Sequence, residues 1–186
     1  PTLVTAYGLN CPPFGLGYKR KIDDLISGST SSGVPFAVFE YNSLGYVAAL
    51  VLPRPLPELY LGETPRPGVE GRQKVVGRWT ATAKDAAWAE AALAAILGPV
   101  EAMAAAGHRV DLSVDGTRLV ALGVPREALA MRGFLEALAP VAHSLADAAL
   151  ASYQAPAPPS ELSLYQRPDW VYRPADDQFL GEVVIN

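Results

Sequence analysis

The stretch NCPPFGLGYKRK, residues 10–21, combines residue types that could bind an anion. Its Gly-Leu-Gly segment could present backbone N–H groups to a phosphate, and Lys19, Arg20 and Lys21 would supply positive charge. A Walker loop, however, ends in Gly-Lys-Ser/Thr, and a dinucleotide-binding loop needs a third glycine between a strand and a helix. Neither pattern is present in this stretch. It is therefore interpreted as a Pro/Gly loop leading into the first strand, with anion binding as the alternative.

Cysteine and metal chemistry are poorly supported. Cys11 is the only cysteine, and His108 and His143 are the only histidines. One cysteine cannot form an internal disulfide, and these three residues are too few for a Cys/His zinc site. Cys11 precedes two prolines, so it lacks the helix N-terminus that would stabilise a thiolate. We expect no metal of this type and no cofactor, although a site made of carboxylates alone stays possible.

Hydrolytic chemistry lacks a recognisable motif. The chain contains no Gly-x-Ser-x-Gly nucleophile elbow. Among its 19 acidic residues, three pairs of aspartates lie close together in the sequence: Asp23 with Asp24, Asp111 with Asp115, and Asp176 with Asp177. A glycosidase pair would require two such carboxylates to converge across a cleft, which a sequence cannot show. No catalytic residue is assigned, and the sequence favours a protein that is not an enzyme.

The C-terminal segment has the composition of a docking arm. Residues 151–160 are proline-rich and typical of an extended linker. The residues that follow include four aromatic side chains: Tyr165, Trp170, Tyr172 and Phe179. Tryptophan and tyrosine are enriched in binding hot spots, and an extended terminus can add a strand to a sheet edge. We predict that this arm binds a protein partner or a second copy of the chain, or folds back onto its own domain.

Length and charge restrict the class of protein. The 186 residues, half of them hydrophobic, fit one domain over 1–150 with an arm over 151–186. A net charge of −4 argues against nucleic acid as a partner. No uninterrupted apolar run approaches the roughly 18 residues of a membrane span, and the first residues do not resemble a signal peptide. Membrane association would then need a partner or an upstream anchor, and a cytoplasmic location, or the cytoplasmic face of a membrane, is favoured.

The first half of the chain is predicted to be β structure. VPFAVFEY (34–41) alternates like a strand, and the continuous apolar run YVAALVL (46–52) is typical of a central strand. The prolines of RPLPELYLGE (54–63) indicate a sheet edge or an extended strap. A further strand is predicted over 74–82.

Two helices and a hairpin are predicted in the second half. Asp85 suits the N-cap of a helix over 85–106, which Pro99 should break or kink, and Gly107 suits its C-terminus. Residues 108–124 predict a hairpin that turns at Asp115-Gly116. A second helix is predicted over 126–150, with Gly133 as an alternative start and a kink at Pro140. Its predicted buried stripe is Phe134, Leu138, Val141 and Leu145.

Strands and helices are grouped rather than alternating, which predicts the α+β class. We expect a mainly antiparallel sheet with two helices packed on one face, in the order β-β-β-β-α-β-β-α, followed by an extended C-terminal tail.

Three motifs resemble a group of uncharacterised actinobacterial proteins, whose members carry GPPFGxG and GxPFxAF(D/E)Y patterns and a VDLSVDGDRLVALG-like segment. The corresponding positions here are Pro12–Gly17, Pro35–Tyr41 and Val110–Gly123, and the resemblance covers about residues 3–150. It implies a shared fold and, because members often have an N-terminal transmembrane helix, an association with the membrane. It implies no activity.

Two hypotheses follow. The first is a non-enzymatic interaction domain, an accessory subunit of a larger assembly. The second is a small-molecule binding or hydrolytic domain whose cleft between helices and sheet gathers polar groups such as Tyr41, Asp111 and His108.

Overall fold

The computed structural model describes residues 22–41, 45–65, 69, 71–153 and 155, which form a six-stranded antiparallel sheet and two helices packed on one of its faces. The elements, in chain order, are β1 (Ile22–Ser29), β2 (Pro35–Tyr41), β3 (Tyr46–Gly62), β4 (Arg72–Val76), β5 (Trp79–Ala83), α1 (Ala86–Ala105), β6 (Asp111–Val124), α2 (Ala128–Leu145) and a 3₁₀ helix (Ala148–Tyr153). The α+β class predicted from the sequence is confirmed.

Strand β3 organises the sheet. Its 17 residues pair with β2 near one end, over Tyr46–Leu50, and with β5 near the other, over Tyr60–Gly62. Strand β6 pairs with both halves of β3, while β1 lies beside β2 and β4 beside β5. The prediction that 46–52 is a central strand is confirmed.

The predicted hairpin at Asp115-Gly116 is wrong. Both halves of this segment belong to one continuous strand, β6, and pair with β3 rather than with each other. Gly116 does have the positive φ, +55°, that a turn would need. It uses this φ where the β3–β6 register shifts, because Val51 pairs with Arg118 but Leu56 pairs with Gly116. The extra residues of this irregularity are on β3, so Gly116 lies opposite them within a continuous strand and not in a turn.

A hairpin is instead formed by β4 and β5, in the segment 74–82 that was predicted to be one strand. Val76 pairs with Trp79, so Gly77 and Arg78 form a two-residue turn between β4 and β5. Gly77 has φ +59° and Arg78 does not have a positive φ, which is the pattern of a type II′ turn.

The prolines that predicted an edge or a strap lie inside the central strand β3. Pro55 and Pro57 have no partner in the paired registers of β3 with β2, β5 and β6. A proline lacks the N–H group that a ladder requires, so the strand accommodates both where it makes no ladder with another strand.

Helix α1 has the predicted ends. The Asp85 carboxylate accepts from the Ala87 N–H at 2.8 Å, as an N-cap residue should. At the other end Gly107 has φ +81°, and the N–H groups of Gly107 and His108 reach the carbonyls of Ala104 and Met103 in a Schellman motif. Contrary to the predicted break, the helix continues through Pro99, because Ile96 and Val100 on either side are buried in the same core.

Helix α2 begins at Ala128, close to the predicted start at 126, and the alternative start near Gly133 is wrong. The Glu127 carboxylate caps it by accepting from the N–H groups of Leu129 and Ala130. These two bonds hold the pKa of Glu127 below its usual 4.5. The predicted buried stripe is confirmed at all four positions: Phe134, Leu138, Val141 and Leu145.

The core lies between the helices and one face of the sheet. Its largest fully buried side chains include Trp79, Trp88 and Phe134. The 3₁₀ helix closes this core, because Leu150 is buried and the Tyr153 ring packs on Trp88 with centroids 5.5 Å apart. Beyond it, the Ala155 N–H donates to the Pro55 carbonyl of β3 at 3.1 Å.

Candidate functional site

Strand register separates the side chains of the sheet onto two faces. Val38 pairs with Ala48, Ala48 pairs with Ala121, and all three belong to the core shared with both helices. Side chains alternate along a strand, so the neighbours of these residues point away from the helices. We call that opposite surface the far face.

The far face is buried across much of the sheet, with apolar side chains at one end and mainly polar side chains at the other. Val47 is 0% exposed, and Phe39 and Val120 are each 1% exposed. The buried apolar members are Phe39, Tyr41, Val47, Ala49 and Val120, and the buried members at the other end are Tyr60, Thr80, Thr82, Asp111 and Ser113. A sheet buried on both faces explains why 46–52 is a continuous apolar run.

No helix or strand in the described ranges lies over the far face. Helices α1 and α2 and the 3₁₀ helix all contribute to the core on the other side. The far face is also not buried uniformly, because the β1 residues 24–29 are exposed at its edge. Burial therefore concentrates over β2, β3, β5 and β6.

A cavity of about 430 Å³ lies at the polar end of the far face. It is lined by the end of β3, the loop after it and the segment that enters β6: Tyr60, Glu63, Thr64, Pro65, His108, Arg109, Val110 and Asp111. Its size is within the range of small-molecule sites.

The cavity holds a partly buried ion pair. An Arg109 guanidinium nitrogen lies 2.6 Å from Asp111 Oδ2, and the Asp111 side chain is 7% exposed whereas that of Arg109 is 65% exposed. The His108 ring packs edge-on against Phe134, with centroids 5.4 Å apart, which fixes the imidazole at the cavity wall. Such a lining offers both hydrogen-bond donors and acceptors to a polar ligand.

The structure brings together only part of the predicted set of polar groups. Asp111 and His108 do line one cavity, together with Tyr60, which the sequence did not single out. Tyr41 lies at the other end of the sheet, because Asp111 pairs with Gly62 whereas the residue before Tyr41 pairs with Tyr46. Two of the three predicted polar groups therefore line a cavity at the end of the sheet, and Tyr41 does not.

The remaining predicted site residues lie outside the described residues. These are the arm residues Tyr165, Trp170, Tyr172 and Phe179, and the basic residues Lys19, Arg20 and Lys21. The docking and anion-binding predictions attached to them stay predictions.

A second polar cluster, made of residues that do not line the cavity, joins the β1–β2 loop to helix α2. His143 Nε2 lies 2.9 Å from Ser32 Oγ, which is also 3.1 Å from Thr30 Oγ1. Ser32 and His143 are 111 residues apart, so no local pattern could have indicated their contact.

A serine hydrogen-bonded to a histidine is the first half of a catalytic triad. A triad also needs a carboxylate that orients the histidine. Among the described residues, the His143 ring has no hydrogen bond besides that to Ser32, and both side chains are exposed. We interpret the pair as a tether between the loop and α2.

Glu136 makes the second contact of this tether. Its carboxylate accepts from the Ser31 hydroxyl at 2.5 Å and from the Ser31 N–H at 2.8 Å. These two bonds, the side-chain bond first, hold the pKa of Glu136 below its usual 4.5. A carboxylate with a lowered pKa in the folded state stabilises the fold above the unfolded pKa and loses that effect as the pH falls through the lowered value.

We therefore expect Glu136→Gln to lower the urea midpoint of unfolding at pH 7, with a difference from the wild type that shrinks as the pH falls below 4.5. The measurement is a series of urea titrations between pH 7 and pH 3. Ser31→Ala removes the donor hydroxyl and should reproduce part of this pH dependence. An effect of Glu136→Gln that is equal at both ends of the series would contradict the contact.

No group of three or more His, Cys, Asp or Glu residues within the described ranges could hold a metal ion. Helix α1 is long and apolar enough to cross a membrane by length and composition alone. This indication is weak, because seven of its side chains, from Trp88 to Met103, are buried against the rest of the domain.

The structure thus defines an α+β domain with a doubly buried sheet and a polar cavity at one end. Comparisons of the chain with protein-family models, with curated proteins and with solved structures found no match.

Proposed function

We propose that this protein is a non-enzymatic interaction domain, an accessory subunit that joins a larger assembly through its C-terminal arm. The observation that carries the proposal is the fixed root of the arm. Leu150 is buried in the core, Tyr153 packs on Trp88, and Ala155 is bonded to Pro55. An arm that starts at a defined point on a folded domain loses less freedom when it binds than a free peptide would.

The composition of the arm supports the same proposal. Trp170, Tyr172 and Phe179 provide large apolar contact areas, and the proline-rich spacer before them reduces the entropy that binding would remove. The resemblance to the actinobacterial group adds the proposal that the assembly is at the cytoplasmic face of a membrane. The net charge of −4 supports a protein rather than a nucleic acid as the partner.

Affinity capture from native cell extract tests this function, with the tagged full chain compared with the full-length variant Trp170→Ala/Tyr172→Ala. We expect one partner in stoichiometric amount with the wild type and its loss with the variant. The matched control is Lys19→Ala/Arg20→Ala/Lys21→Ala, which should retain the partner. Equal capture by all three forms, or capture by none, would contradict the proposal.

A second candidate function is the binding of a small polar molecule in the cavity of Tyr60, His108 and Asp111. The observation in its favour is the convergence of a buried carboxylate, a guanidinium and an imidazole on one space of about 430 Å³. Ligand-observed NMR of the full chain with a library of small polar compounds tests it. Thr64→Trp, at an exposed position of the lining, should fill the cavity and abolish binding, whereas Leu129→Trp on the exposed side of α2 should not. No wild-type hits, or hits unaffected by Thr64→Trp, would exclude it.

A further inference from the structure

We propose that the far face of the sheet is the receiving surface for the chain's own C-terminal arm, with the aromatic segment around Trp170 lying over β2, β3 and β6. The position of the arm is inferred independently of the proposed function. Only its regulatory consequence, competition with a partner, rests on that function. When no partner is present, the arm occupies the far face, and a partner that binds the arm must first displace it.

The burial of the far face is the first argument. In a single copy of the chain, Val47 is 0% exposed and Phe39 and Val120 are each 1% exposed. Every described helix packs on the other face of the sheet. We take the cover of these side chains to be the C-terminal arm of the same chain rather than a second copy.

The position at which the arm leaves the domain is the second argument. The Ala155 N–H is bonded to Pro55, in the middle of the central strand β3 and in the stretch that no described strand pairs with. The chain therefore leaves from within the sheet. From there residues 156–186 can extend about 100 Å, compared with roughly 55 Å for the whole length of β3.

The pattern of exposure favours the C-terminal arm over residues 1–21. The N-terminal segment enters the sheet at β1, and a cover that started there would bury β1 first. Residues 24–29 of β1 are instead exposed, with Leu25 at 45% and Ile26 at 46%. Burial is complete further in, at Val47 on β3 and Val120 on β6, which are within the reach of a segment that starts beside Pro55.

The chemistry of the two surfaces also matches. The apolar end of the far face, from Phe39 to Val120, suits large aromatic side chains, which gain the most free energy from such burial. The polar end, with Thr82, Ser113 and Asp111, suits the polar and basic residues between the aromatics in YQRPDWVYRP (165–174).

Site-specific photocrosslinking tests this inference in the full-length protein. Trp170 is replaced by the photoreactive residue p-benzoylphenylalanine, the purified chain is irradiated without any partner, and the products are mapped by mass spectrometry. We expect an intramolecular crosslink from position 170 to peptides of β2, β3 or β6. The same residue placed at Leu129, which is 79% exposed on α2, is the matched control and should give no crosslink to the far face.

Each other outcome overturns the inference. A crosslink to residues 1–21 or to a helix places the arm elsewhere, a crosslinked dimer makes the receiving chain a second copy, and absence of a crosslink leaves the arm off the domain. Val47→Asp should reduce the far-face crosslink about tenfold or more, because a buried unpaired charge opposes docking. Absence of the far-face crosslink would not change the affinity-capture result. The inference and the proposed function can therefore fail independently.

Discussion

Replacing Phe134 with alanine is expected to lower the free energy of unfolding by about 3–5 kcal/mol. The ring is 0% exposed in the core between α2 and the sheet, so its removal leaves a cavity that a packed interior fills only in part. It also removes the edge-on contact with His108 and so loosens one wall of the polar cavity. Urea unfolding at neutral pH measures the effect.

The matched control for this substitution is Leu129→Ala on the same helix. Leu129 is 79% exposed, so its truncation should change the free energy of unfolding by about 0.5 kcal/mol or less. A Phe134 variant as stable as the Leu129 variant would mean that α2 does not pack on the sheet as described.

Replacing Val47 with aspartate is expected to have the second large effect. Val47 is 0% exposed on the far face, and an uncompensated charge in such a position costs about 3–5 kcal/mol. If the arm is the cover, however, its release would let the introduced carboxylate reach water, so the cost would be limited to the free energy with which the arm is held. We therefore expect a folded domain whose arm is cut more rapidly by chymotrypsin at its aromatic residues.

Two controls define this result. Val75, on the same face by register but 60% exposed, should tolerate aspartate with almost no change in stability or in cleavage. Leu50 is 0% exposed on the helix side, and its replacement by aspartate should unfold the whole domain. Global unfolding by Val47→Asp, with no selective cleavage of the arm, would show that the far face is covered by something the domain cannot release.

Much of the fold could be predicted from the sequence where the deciding interactions are local. The N-cap at Asp85 and the αL glycine at Gly107 depend on contacts within a few residues, and both were predicted correctly. The apolar stripes of α1 and α2 repeat with the helical period, which a sequence displays directly.

The errors arose where the outcome depends on a distant strand. Asp115-Gly116 and Gly77-Arg78 are both turn-compatible dipeptides, yet the first lies within the continuous strand β6 and the second in a hairpin. The difference is the long partner strand β3. It pairs with both halves of β6, so the two halves of β6 do not pair with each other. The Ser32–His143 contact and the cavity of Tyr60 and Asp111 likewise depend on residues that only the folded chain brings together.

The most direct test of the central claim, that the free protein holds its arm on the far face, is ¹⁹F NMR of the full chain labelled with 5-fluorotryptophan. The chain has three tryptophans, and Trp79 and Trp88, both 0% exposed, serve as internal standards for a buried indole. The account predicts that exchanging H₂O for D₂O leaves the Trp170 resonance as unshifted as theirs in the wild type, and shifts it in Val47→Asp. A wild-type Trp170 resonance with the full solvent shift of an exposed indole would contradict the account.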